Sequence, residues 1–154
     1  MYGFNVVENG HVVTLIAPQT QTAALTSEIF SMENWAHATI IVQGGAGSAS
    51  TVTVSECDDF SPSNAATKTF RYAQEATAAG DVVDAALASA ATSGVAVGTA
   101  TGIFLIIEID KDELTDGYPC VQINVSASGS KLISALAILS GGRYQKDITA
   151  TVIS

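Results

Sequence analysis

Short runs of branched apolar residues alternating with polar ones recur along this chain, and glycine, asparagine, proline or serine stops each run. Period-two alternation places successive side chains on opposite faces of a strand, so it selects β-structure over helix. Val12–Ile16 follows Asn9-Gly10, a strong hairpin-turn dipeptide. Ala38–Val42 runs into Gly44-Gly45-Ala46-Gly47-Ser48, whose glycines are expected to break the strand. In Thr51–Cys57, Val52 and Val54 share one face, and in Lys68–Tyr72, Phe70 faces opposite to Arg71. Asp58–Asn64 reads as the polar turn between them. Ile103–Ile109 is almost continuously apolar, which predicts a strand buried on both faces. Val121, Ile123 and Val125 alternate with polar residues, and Lys131–Ser140 closes the set before Gly141-Gly142.

The pattern predicts an all-β, mainly antiparallel protein, a sandwich or barrel, with at most one short helix. Asp81–Ala91 is the open element. Val82, Val83, Ala86 and Leu87 form a stripe suited to a short helix, and the neighbouring glycines suit an irregular strand equally. No repeat, linker or charge block divides the 154 residues, so residues 1–154 are expected to form a single domain.

Composition bears on what such a domain does. Charged residues make up 14% of the chain and hydrophobic ones 47%, against about 25% charged in an ordinary soluble domain. The surface must be largely neutral, which suits a protein covered by neighbours, because ionic groups cost free energy to desolvate on assembly. A net charge of −9, with six unclustered Lys and Arg, excludes nucleic acid as a direct partner. The longest apolar runs, Ile103–Ile107 and Leu132–Leu139, fall far short of the roughly 20 residues a bilayer helix needs. Met1–Asn5 carries no positive charge, so secretion by the general route is not expected. Cys57 and Cys120 are read as free thiols packed as small hydrophobes, with a bridge between two facing strands as the alternative.

Catalytic constellations are weak. His11 and His37 stand 26 residues apart without a neighbouring nucleophile motif, and both are read as structural or surface residues. Asp110-Lys111-Asp112-Glu113-Leu114-Thr115-Asp116-Gly117 has the oxygen ligands of a calcium loop but misses its spacing and closing Glu. A solvated turn, with room for one helical turn, is the better reading. Gly44–Ser48 lacks the Lys-Ser/Thr of a phosphate loop, and Glu56, Asp58 and Asp59 read as a strand-end turn rather than an acid–base pair. No catalytic residue, metal or cofactor is therefore assigned, and the chain is not expected to be an enzyme.

Three stretches carry a resemblance. They are Ser27-Glu28-Ile29-Phe30-Ser31-Met32-Glu33-Asn34-Trp35-Ala36-His37-Ala38-Thr39-Ile40-Ile41-Val42-Gln43; Phe70-Arg71-Tyr72 with Thr77–Asp81; and Ile107-Glu108-Ile109-Asp110 with Glu113–Val121. With the closing Leu139–Tyr144 they resemble small tailed-phage virion proteins encoded close to the major capsid protein, the capsid decoration (cement) proteins. That resemblance implies a jelly-roll-like β-sandwich sitting as a homotrimer on the capsid exterior, assembled in the host cytoplasm, with the major capsid protein as partner. It implies no active site. The least covered segments, residues 1 to about 10 and about 145 to 154, are expected to be short arms. Tyr2, Phe4, Trp35 and Tyr144 are the candidate interface aromatics, with packing inside the sandwich as the competing reading for Trp35 and Tyr144. A head–tail joining or tail component, and a host-recognition carbohydrate-binding module, are the alternative functions.

Overall fold

A computed structural model describes residues 5–75, 77, 83, 86–142 and 152–153. Each alternating segment buries one apolar row, and the chain covers those rows by facing two antiparallel sheets against each other. One sheet orders six strands: β1 (Gly10–Gln21), β12 (Lys131–Ser140), β4 (His37–Gly47), β10 (Ile103–Asp110), β7 (Phe70–Glu75) and β8 (Ala88–Ala90). The other runs β13 (Val152–Ile153), β3 (Ile29–Ser31), β11 (Cys120–Val125), β5 (Ser50–Cys57) and β6 (Ala65–Lys68). There β2 (Leu25–Thr26) also pairs with β11, and β9 (Val95–Val97) with β5. The all-β antiparallel sandwich is thus the observed architecture.

The core lies between the sheets. Ile40, Val42, Leu105, Ile107, Ala137 and Leu139 project from the first sheet, and Phe30, Val52, Ile123 and Val125 from the second, all at or near zero exposure. Among the described residues β12 is the only strand that β1 pairs with, with register shifts between Thr14 and Ile16 and between Ile16 and Gln19. These irregularities, with Pro18, shape the outer edge of the sheet.

Several local expectations are corrected. Asn9-Gly10 is no hairpin turn: Asn9 ends a four-residue helix, α1 (Val6–Asn9), and Gly10 opens β1. Asn5 starts that helix by accepting from the Val7 N–H at 3.2 Å. The glycine run does not break β4, which continues to Gly47. Close packing explains why these residues are glycine: a Cβ at Gly45 would sit 2.7 Å from Leu132 Cβ, and one at Gly44 would sit 2.9 Å from Val97 Cγ1. The Lys68–Tyr72 strand is two strands, because the chain leaves one sheet after Lys68 and enters the other at Phe70. Phe70 still faces the core and Arg71 the outside. Ile103–Ile109 is buried on one face only, since Phe104, Ile106 and Glu108 are half-buried on the other. In Asp81–Ala91, Ala88–Ala90 form β8, a strand, and residues 81, 82, 84 and 85 lie outside the described residues.

Candidate functional site

In an antiparallel sandwich the outward face of a sheet is ordinarily polar. Here register gathers apolar residues among the polar ones on it. Ile106, Ile41, Leu136 and Thr14 make one row across β10, β4, β12 and β1, and Glu108, Thr39, Ile138 and Val12 make the next. Ile41, Ile106, Leu136 and Ile138 are half-buried, while Val12 and Leu132 are each 51% exposed. Phe104 extends the patch along β10. Neighbouring side chains thus cover much of each other, and among the described residues no further strand or helix lies over them.

A charged cluster bounds this face where β4 begins and β10 ends. His37 pairs across with Asp110. Its Nδ1 lies 2.7 Å from Asp110 Oδ1 and its Nε2 lies 2.7 Å from Glu108 Oε2. Thr39 donates to Glu108 at 2.8 Å. Arg71 donates to the other oxygen of Asp110 at 2.5 Å and stands 3.3 Å from Glu113. Burial alone would lower the His37 pKa, but the hydrogen bonds and charges of Asp110 and Glu108 outweigh it and hold the imidazolium above the ordinary 6.5. The same bond to His37, aided by Arg71, holds Asp110 below the usual carboxylate range. With its folded pKa raised, His37 stabilises fully below the unfolded value and loses that contribution as pH rises through the folded one. Stability is expected to fall as pH rises above 6.5 and through the raised value, by a modest amount because the ring is partly solvated. His37→Gln should remove that slope in urea denaturation midpoints.

The acidic segment Asp110–Gly117 is a turn containing one 3₁₀ turn, Lys111–Glu113. Glu113 accepts from the Asp110 N–H at 3.2 Å, so its carboxylate caps the turn. Thr115 is tied to Glu56, which is 7% exposed: its N–H donates at 2.9 Å and its hydroxyl at 2.5 Å, with Lys68 3.2 Å away. Burial pushes the Glu56 pKa up, yet Thr115 and Lys68 bring it below its ordinary value. Asp58 braces its own loop by accepting from Asn64 and Ser63. Glu56 and Asp58 therefore serve separate structural contacts. Among the described residues no group of three His, Cys, Asp or Glu side chains is arranged to hold a metal ion. Nor is any described helix long and apolar enough to cross a membrane.

Trp35 is a core residue, 5% exposed, with its ring stacked on His11 at 5.9 Å and 9°. It is not an exposed anchor, because the turn before β4 folds the indole inward under the imidazole. Tyr2, Phe4 and Tyr144 lie outside the described residues.

One buried charge escaped sequence reasoning. Lys131 has no exposed surface, and its ammonium donates to the Gly98 carbonyl. Alternation held the signal: Lys131 shares a face with the inward Ile133, Ala135, Ala137 and Leu139. Gln21, opposite it in register, donates to the Ser126 carbonyl at 2.6 Å. Burial lowers the Lys131 pKa from its ordinary 10.5. Lys131→Met should raise stability by about 1–3 kcal/mol at neutral pH, since the thioether fills the site without a buried amine to desolvate. A depressed lysine makes the wild type gain stability as pH rises from the folded pKa toward 10.5. The gap between the two proteins in urea titrations should accordingly narrow as pH rises toward 10.5.

Neither a protein-family model nor a curated protein matches the sequence. Among solved structures the chain is similar to the crystal structure of SPBc2 prophage-derived protein YomS, at 13% identity and a TM-score of 0.53. The match covers 86% of this chain and 94% of that one. At this identity the likeness is one of fold.

Proposed function

We propose that this chain is a structural virion protein of a tailed phage, which binds the outer surface of the capsid and cements neighbouring capsomers against internal DNA pressure as a trimer. The apolar outward face of the six-stranded sheet carries the reading. A patch of that kind rarely stands bare on a soluble monomer, and a second copy of the chain is the occupant it suits. The charges at its rim, His37, Arg71, Glu108, Asp110 and Glu113, already find partners within the chain, so covering them strands few unpaired groups. The prophage origin of the structural neighbour supports a phage source, and the low charge content supports a life under cover.

Such a protein works by binding alone, without catalysis. Each copy bridges subunits of the major capsid protein and favours the closed shell over the ruptured one by mass action. Many copies acting together make modest single contacts sufficient. Light scattering coupled to size exclusion, followed by cosedimentation with shells lacking the protein, tests this. The expected result is a trimer that saturates shells at a fixed ratio to capsid subunits. A ring of another order, or failure to bind shells, would move the protein to the tail or to host recognition.

A further inference from the structure

We propose that Cys57 and Cys120 are a redox pair that closes into an intramolecular disulfide, stapling β5 to β11. The two residues are direct cross-strand partners in the antiparallel register. Such partners project to the same face with Cα atoms about 4.5–5.5 Å apart, within the span of about 4.4–6.8 Å that a disulfide requires. Both are free and buried, and they share a small cluster with Ile29, set apart from the main core and flanked by Phe60. Phe60 belongs to the Asp58–Asn64 loop, which is held by exposed hydrogen bonds to Asp58 rather than by strand pairing. That loop is the gate over the pair.

Closure proceeds by exchange with a small-molecule disulfide such as oxidised glutathione. One cysteine thiolate attacks a sulfur of the oxidant, forming a mixed disulfide and releasing one small thiolate, which takes up a proton. The second cysteine thiolate then attacks the protein-side sulfur of that mixed disulfide and releases the second small thiol. The protein loses two electrons and two protons, and one disulfide is reduced to two thiols. Burial, with Asp58, Asp59 and Glu56 nearby, pushes the Cys57 thiol up to about 11, so closure is slow and follows opening of the loop. The staple spans about sixty residues of chain, and long loops gain most from a cross-link. If the virion protein proposed above is assembled in the host cytoplasm, where thiols stay reduced, the staple would form only once it reaches an oxidising environment.

The test incubates the reduced full-length protein with oxidised glutathione and follows intact mass and thiol content over time. The expected product has lost two hydrogens, keeps its oligomeric state and melts about 5–10 °C higher than the reduced protein. Phe60→Ala should speed closure at least about fivefold by opening the gate, and Cys120→Ser should abolish the melting shift. Stable thiols in both the wild type and Phe60→Ala, a glutathione adduct that never resolves, or a disulfide that lowers the melting temperature would each overturn the proposal. None of these readouts depends on binding to shells, so the assembly reading stands or falls separately.

Discussion

The double variant Ile41→Lys with Leu136→Glu is expected to be a folded monomer that no longer binds shells. The two positions are cross-strand partners at the centre of the apolar rows on the outward sheet face. Both are half-buried in the single chain, so their polar heads can reach water there. The opposite charges also face each other directly, which supports β4–β12 pairing by about 0.2–1 kcal/mol. Covering the same pair beneath a neighbour desolvates both charges, a penalty of several kcal/mol per ion that their attraction only partly offsets. Subunit association should weaken by at least about a hundredfold, given that central interface residues commonly carry 2 kcal/mol or more. Sedimentation equilibrium reads the mass, and circular dichroism checks that strand content is unchanged. A control charge at Thr51, on the exposed side of the other sheet, should leave assembly intact. Persistence of the proposed trimer in the double variant would remove the outward face from the interface.

Gly47→Ala is expected to cost at least about 3 kcal/mol, a large share of the 5–15 kcal/mol typical of a domain. Gly47 adopts a φ of +139°, which a side chain rarely tolerates. A Cβ there would also fall 2.0 Å from the Ser130 carbonyl oxygen and 2.5 Å from Lys131 Cα. These are backbone atoms, and they belong to the start of β12, which pairs with Gly47 in the sheet. Relief would therefore require prising β4 from β12. Gly117→Ala is the matched comparison: φ is +85°, yet nothing lies within 4 Å of the added carbon. That change should cost only about 1–2 kcal/mol, the strain of the left-handed backbone itself. Urea titrations of the two variants separate strain from collision, and equal midpoints would show that the collision at Gly47 is relieved at no cost.

What could be read from the sequence follows from the range of each signal. Apolar patterning is local, so β5 and β11 were legible from their alternation and β10 and β12 from their apolar runs, as was the turn at Asp110–Gly117. Glycine is ambiguous at that range. It can end a strand or sit where a remote side chain needs its space, and Gly44 and Gly45 are glycine because of Val97, Ile103 and Leu132. The outward patch was hidden for a similar reason. Ile41, Ile106 and Leu136 become neighbours only once β4 lies between β10 and β12. His37 and Asp110, and Cys57 and Cys120, were each visible as residues, but register alone brings them together. Lys131 is the opposite case: its inward position follows by alternation from Ile133 onward.

The pairing of β1 with β12 sets a clock on the birth of the molecule. Gly10 finds its partner at Ser140, so β1 leaves the ribosome about 130 residues ahead of the strand it pairs with and waits for it. At about 5–20 residues per second that wait lasts on the order of 6–26 seconds, far longer than a hairpin takes to form. Throughout it Val13, Leu15 and Ile16 have no sheet to enter. The irregular register and Pro18, which in the finished protein merely shape an edge, are then the features that discourage one nascent chain from pairing with another.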